Sequence, residues 1–313
     1  MKLSIIIPVY NEQENLALLH KSLTAVMQQH SYSYEILYVD DGSGDKSFDI
    51  LKSIHNQDKH ARVISFQKNF GQTAALDAGL SHAKGEIVVT MDADLQNDPK
   101  DIPLLIQKLE QGYDMISGWR SKRKDPFFTK KLPSLFSNFL VKLLSGVKVH
   151  DQGCTLKAYR IECVKDLELY GEMHRFIPLI LQYQGYRINE VKVQHHKRKF
   201  GRTKYDISRL GKGFLDLMFI KFWFNYSNRP LHYFGGAGIL FIVLGFLVGI
   251  FNVSYHLFIV KNFGFNVGPL LLLSALFIIL GLQLIVMGFL GEVMIRIYYK
   301  DKKAPYRIKK ILN

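Results

Sequence analysis

Val88-Val89-Thr90-Met91-Asp92-Ala93-Asp94-Leu95-Gln96 is the stretch that decides the fold. The apolar run over residues 87–91 reads as a fully buried strand, and it ends in two carboxylates spaced i, i+2. In an open α/β sheet the chain leaves the core at the carboxyl end of a strand, and ligands bind there. Two hard oxygen donors, Asp92 and Asp94, with the amide oxygen of Gln96, suit Mg²⁺ or Mn²⁺ that is also held by a substrate diphosphate. The plain alternative is a solvated turn, because Asp is common in loops. The surrounding sequence argues against it.

Upstream, residues 3–9 read as a strand closed by Pro8-Val9-Tyr10-Asn11-Glu12, and residues 13–27 carry Leu16, Leu19, Leu23 and Met27 at helical spacing. Residues 35–39 form the next strand, again stopping at acids: Asp40-Asp41-Gly42-Ser43. A helix over 45–55 and a strand over 62–66 follow, after which Asn69-Phe70-Gly71-Gln72 opens a helix of small residues. This βαβαβαβ alternation predicts a mostly parallel sheet with right-handed crossovers. Parallel strands bring their carboxyl ends to one edge, so three polar clusters distant in sequence converge on one crevice. A nucleotide's base and ribose would use the first two clusters, with Asp40 or Asp41 accepting hydrogen bonds, and its diphosphate would lie at the metal.

In these motifs the chain resembles family-2 glycosyltransferases. The carriers are Ile5-Ile6-Ile7-Pro8-Val9-Tyr10-Asn11-Glu12, Asp40-Asp41-Gly42-Ser43 and Asp92-Ala93-Asp94-Leu95-Gln96-Asn97-Asp98-Pro99. More narrowly they are similar to the dolichyl-phosphate mannose synthase-like branch, which moves a sugar from a nucleotide to a polyprenyl phosphate. The resemblance covers roughly residues 3–210. It implies a GT-A fold, a divalent metal and inversion at the anomeric carbon. It also implies that Asp94 and Gln96 coordinate the metal, while Asp92 supports metal or nucleoside. Pro8, Tyr10, Asn11, Glu12, Asp40, Asp41 and Asn69 become nucleotide-sugar candidates beside Asp92.

The second half carries the acceptor side. Residues 114–118 read as a strand, followed by the basic run Trp119-Arg120-Ser121-Lys122-Arg123-Lys124. The apolar stripe over 132–144 is either core or a helix in the headgroup layer. Asp151-Gln152-Gly153-Cys154-Thr155-Leu156-Lys157 resembles the branch's segment closing the acceptor pocket, with Cys154-Thr155-Leu156-Lys157 in place of a commoner Ser-Gly-Phe-Arg core. The resemblance makes Asp151 an orienting group for the nucleophile. Residues 195–205 resemble the branch's mobile basic loop, in which Arg198, Arg202 and Lys204 hold donor diphosphate or acceptor phosphate, Arg by bidentate contact. Arg120 and Arg175 are further candidates for the acceptor phosphate, while His195 and His196 read as edge-of-sheet residues rather than ligands to a hard metal.

Charge and hydropathy place these parts. The net charge of +14 is concentrated: residues 187–212 carry +7 and 296–313 carry +6. Residues 234–251 and 267–290 contain no ionisable side chain over 18 and 24 positions; about 20 residues at 1.5 Å each cross a bilayer core. Basic blocks beside such spans point to anionic lipid headgroups and away from nucleic acid. The expected organisation is a GT-A domain over 1–205, an interfacial amphipathic helix over 206–229, a two-helix transmembrane hairpin over 230–292 and a basic tail over 293–313. No signal-peptide pattern opens the chain, and basic flanks outnumber the single Lys261 of the connecting loop. The catalytic domain and both termini are therefore expected on the cytoplasmic side of the cell membrane. Cys154 and Cys163 lack metal-ligand spacing and fit a reducing compartment. Gly235, Gly236, Gly238, Gly245 and Gly249 allow close helix packing, which leaves a homo-oligomer open.

The expected activity is inverting, metal-dependent transfer of a hexose from a UDP- or GDP-sugar to an undecaprenyl- or dolichyl-type phosphate. Three rival readings fit the residues less well. A processive polysaccharide synthase shares the front half, but the chain lacks Gln-x-x-Arg-Trp and has only two spans. A non-catalytic nucleotide-sugar-binding scaffold sits poorly with intact acidic clusters. A transporter would carry ionisable residues in its spans.

Overall fold

The computed structural model describes residues 2–121, 150–197 apart from 166, 168, 170 and 172, then Met218, 229–260 and 268–300. The chain forms two compact units, Met1–Met218 and Phe219–Asn313.

The first unit begins with β1 (Lys2–Val9), α1 (Leu16–Gln29), β2 (Ser33–Asp40), α2 (Ser47–Gln57), β3 (Ala61–Ser65), α3 (Gln72–His82) and β4 (Ile87–Thr90). A 3₁₀ turn (Pro99–Asp101) leads into α4 (Ile102–Glu110) and β5 (Met115–Trp119). After β6 (Lys157–Arg160) come α5 (Ile161–Val164), a 3₁₀ turn (Met173–Phe176), α6 (Ile177–Tyr183) and β7 (Ile188–Lys192). The seven strands lie in the order β3-β2-β1-β4-β6-β5-β7. Every pairing is parallel except the two made by β6, which runs against β4 and β5. This is the mostly parallel sheet that the alternation predicts. The antiparallel strand lies beyond the βαβ repeat, where no crossover rule fixes direction.

Both faces of the sheet are covered, so its central strands are apolar throughout. Ile5, Ile6, Ile7, Val88 and Val89 are fully buried. On one face α1 contributes Leu16, Leu19, Leu23 and Met27, and α4 contributes Ile102, Leu105 and Leu109. On the other, α3 comes so near β1 that a Cβ at Gly79 would strike Ile6, which is why that helix is built of small residues. At the amino edge, Ser4 Oγ donates to Glu35 Oε1 (2.6 Å), Arg62 to Oε2 (2.6 Å) and the Lys84 amide to Oε1 (2.7 Å). Burial alone would raise the pKa of Glu35, but these bonds prevail and hold it below the ordinary carboxylate value.

The second unit contains α7 (Pro230–Tyr255), a π turn (His256–Val260) and α8 (Pro269–Lys300). Two stretches, Pro230–Ile259 and Pro269–Ile295, are long and apolar enough to cross a membrane, and fewer than one in five residues of either is buried. An apolar surface facing outward in this way belongs in lipid. The helices meet through small residues. A Cβ at Gly238 would lie 2.6 Å from Gly281 O, one at Gly281 would lie 2.5 Å from Gly238 O, and Ser274 Oγ donates to Gly245 O (2.7 Å). Gly238, Gly245 and Gly249 thus pack within the chain. The stretch over 132–144 and the expected interfacial helix over 206–229 fall outside the described residues, Met218 and Arg229 apart.

Candidate active site

Three strand ends meet as the topology requires. Val9 pairs with Asp40 and Ile6 with Thr90, so β1, β2 and β4 release their polar clusters side by side. Asn11 has φ +53°, a conformation that Asn tolerates, and it turns the first cluster onto the second. Its amide donates to Ser43 Oγ (3.0 Å), its Oδ1 accepts from the Gly44 amide (2.8 Å), and the Glu12 amide donates to Ser47 Oγ (2.9 Å). Tyr10, half-buried, follows β1 directly.

The two acids of the second cluster are buried, and each already has donors from the protein. Asp40 accepts from Ser65 Oγ (2.9 Å) and the Ser43 amide (3.2 Å). Asp41 accepts from Asn69 Nδ2 (3.0 Å) and from the amides of Phe70 (2.7 Å) and Gly71 (2.9 Å). Asp41 thus braces the loop between β3 and α3, to which Asn69 belongs, and Asp40 ties its own turn to the end of β3. Gly42, at φ +64°, lies so close to Lys68 and Asn69 that no Cβ fits there.

The loop ends at Gln72, whose Nε2 donates to Asp92 Oδ1 (2.8 Å). Asp92 lines a cavity of about 10 Å³ with Pro8, Thr90, Thr155, Lys157 and His174. Burial first, then the neighbouring charge of Asp94, pushes the Asp92 carboxyl well above the ordinary range. Two acids crowded in this way are a fitting seat for a hard divalent cation, which would relieve both desolvation and repulsion. Asp94 Oδ1 accepts from the Gln96 amide (3.1 Å), which places the two expected ligands together across Leu95.

Across β6 the composition is unusual for a sheet interior. Lys157 is 3% exposed, and burial pushes its ammonium down to about 8. Its Nζ donates to Gln152 O at 3.4 Å. Asp151, also buried, takes Arg120 bidentately, through Nε (2.7 Å) and Nη2 (3.0 Å). Arg175 lies in the 3₁₀ turn Met173–Phe176 next to His174, whose Nδ1 meets Thr73 Oγ1 (2.7 Å) at the start of α3. Arg198, Arg202 and Lys204 fall outside the described residues.

The structure therefore brings together Pro8, Asn11, Glu12, Asp40, Asp41, Asn69, Asp92, Asp94 and Gln96, and joins Arg120 to Asp151. Sequence reasoning missed Gln72, Thr155, Lys157 and His174 as neighbours of the acids. Gln72 had a signal, because β3 ends at the same edge as the other three strands. Lys157 and His174 had none: strand direction and the packing of the 3₁₀ turn decide their places.

A sheet of this order, with acids at the shared carboxyl edge, defines a GT-A-like nucleotide-sugar fold. Crystal structures of glucosyl-3-phosphoglycerate synthase from Mycobacterium tuberculosis show the same fold. One, in complex with Mn²⁺, UDP and phosphoglyceric acid, has a TM-score of 0.55 at 18% identity over 71% of this chain and 78% of that one. The model of Glycosyl transferase family 2 matches residues 4–168, and the chain belongs to that family. It is a glycosyltransferase. Among its relatives, dodecaprenyl-phosphate galacturonate synthase of Rhizobium johnstonii is 38% identical over all of this chain and 94% of its own length. Undecaprenyl-phosphate 4-deoxy-4-formamido-L-arabinose transferase of Yersinia pestis is 35% identical with the same coverage.

Proposed function

We propose that this glycosyltransferase moves a sugar, a hexose on the sequence reading, from a UDP- or GDP-sugar to a polyprenyl phosphate, with inversion. It would work at the cytoplasmic face of the cell membrane. The observation that carries the reading is the convergence of Asp92, Asp94 and Gln96 with the crevice of β1 and β2, on a chain whose second unit presents an apolar surface. The relatives' names supply the acceptor class, and full-length similarity to two polyprenyl-phosphate enzymes favours it over a polymer synthase.

Asp94 and Gln96, with Asp92 behind them, would hold Mg²⁺ or Mn²⁺. Bound there, the ion neutralises charge developing on the leaving nucleoside diphosphate. Gln72 fixes the Asp92 carboxylate, and the Asp41-built loop fixes Gln72, so nucleoside and phosphate ends of the donor are received by one connected frame. Pro8, Tyr10, Asn11, Glu12 and Asn69 border the nucleoside side of that frame. Arg198, Arg202 and Lys204 would hold phosphate oxygens. Arg120, held by Asp151, and Arg175 are the described cations for the acceptor phosphate.

The reaction breaks the bond from C1 to the nucleotide's phosphate oxygen and forms one from C1 to the lipid phosphate. A phosphomonoester has its second pKa near 6, so at neutral pH the nucleophile is mostly dianionic. No strong protein base is needed, and Asp151 serves by positioning. Basic residues beside the spans would gather anionic lipid. The test is purified enzyme with Mg²⁺ or Mn²⁺, undecaprenyl phosphate and a panel of labelled UDP- and GDP-sugars. Label should enter the lipid fraction with the native chain. No lipid product from any donor would overturn the reading.

A further inference from the structure

The turn that carries Asp94 and Gln96 is bent against its own preference. Leu95 between them has φ +60°, a region in which a bulky side chain is disfavoured. Such a conformation persists only where the surroundings over-determine it. A segment one hundred residues later in the chain reaches this turn. The His196 amide donates to Gln96 O (2.8 Å), and Gln96 Nε2 donates back to His196 O (3.4 Å). Asn97 and His195 form an antiparallel bridge, and the Gln194 amide donates to Asp101 Oδ2 (2.7 Å). The His196 ring completes the clamp, its Nε2 lying 3.1 Å from Asp98 Oδ2. Asp98 Oδ1 in turn accepts from the Lys100 amide (3.0 Å), at the head of the 3₁₀ turn.

We propose that His196 is a positioning residue for the metal-binding turn. Its ring on Asp98 fixes residues 194–196 across the acidic loop, and this holds Leu95 in its left-handed conformation with Gln96 beside Asp94. The inference rests on the reading that Asp94 and Gln96 hold a divalent cation. His196 acts through Gln96 and Asp98, not on metal or substrate. The His196 side chain is 48% exposed, so replacing it opens no core. Its backbone bonds to Gln96 survive any substitution but proline, which isolates the part played by the ring.

The test is Mn²⁺ binding to the full-length protein in detergent, read by electron paramagnetic resonance, alone and with UDP or GDP. The native chain, Asp94→Asn, His196→Ala and His196→Gln are compared, with thermal unfolding measured on each. His196→Ala should weaken Mn²⁺ retention about ten- to a hundredfold, the usual effect of removing an outer-shell partner, at an unchanged unfolding temperature. His196→Gln, whose amide N–H can still meet Asp98, should recover most of it. If the native chain binds no better than Asp94→Asn, the metal reading itself falls. If those two differ but His196→Ala binds like the native chain, the positioning role is overturned. His196→Gln as weak as His196→Ala would overturn it too, because the contact with Asp98 would then be irrelevant.

Discussion

In the sheet unit Ile5, Val89 and Leu105 are fully buried, whereas in the helical hairpin Leu272, Ile279 and Phe289 are each more than half exposed. What the hairpin buries instead is Gly238, Gly245, Asn252 and Ser274. The same apolar residue types are thus used in opposite senses within one chain. Water drives the first arrangement, since each apolar square ångström buried is worth about 25 cal/mol. Lipid offers no such gain, so the hairpin relies on backbone approach and an interhelical hydrogen bond. The two units should therefore fail for different reasons.

Asp94→Asn should have the largest effect, lowering transfer by about two to three orders of magnitude, the scale of losing one preorganised electrostatic group. Its circular dichroism should match the native spectrum. Near-native turnover would show that the acidic edge is not where the sheet unit does its chemistry. Next, Gly281→Leu drives a side chain into Gly238 O and Ile242 of the facing helix. Overpacking of this kind costs about 1–3 kcal/mol. Cysteine cross-linking between α7 and α8 should show the helices parting, while Gly236→Ala, with open space around it, leaves them in place. Equal behaviour of the two variants would mean that glycine contact does not hold the hairpin.

Glu35→Gln probes the opposite unit and should cost about 1–3 kcal/mol, because Ser4 and Arg62 lose a charged partner. The acid dependence has a definite sign. Bonded Glu35 titrates below its unfolded value near 4.5, so its contribution is complete above that pH and is lost as pH falls through the depressed value. Unfolding of the native chain at pH 7 and pH 4 should show the onset of this loss, and the Gln variant should show less of it. The smallest effect is expected from Ser274→Ala, at about 0.6 kcal/mol, the mean for a hydrogen bond between membrane helices. A loss several times larger, measured by unfolding in mixed micelles, would make the hairpin's polar contact more than an accessory to its glycines.

Much of this was legible in the residues. The strand that runs out into Asp92 and Asp94 and the first two strands of the chain carry continuous apolar runs, as strands buried on both faces do, and parallel pairing then fixes where their ends lie. Uncharged runs announced both long helices. Boundaries moved by a few residues: the first helix starts at Leu16, not at 13, because Glu12, Gln13 and Asn15 are occupied in the turn between β1 and the second cluster. Functional detail was less legible. Asp41 reads as a ligand-facing acid, and the donors it takes from Asn69 and the Phe70 and Gly71 amides left no trace in the sequence, since only coordinates tell which donors reach a carboxylate. His196 reads as edge filler, and its neighbour His195 does lie on an edge bridge with Asn97. Its ring meets Asp98 through a tertiary contact with no periodic trace. Lys157 enters the interior because β6 reverses direction, which local propensity does not encode.

The ion pair between Arg120 and Asp151 has a consequence for how such a chain can diversify. It joins the first residue after β5 to one shortly before β6, two strands that are themselves paired. The pair fixes the two ends of the connection beside the sheet. The closure entropy of such a connection grows only slowly with length, so replacement or lengthening there should scarcely disturb the sheet.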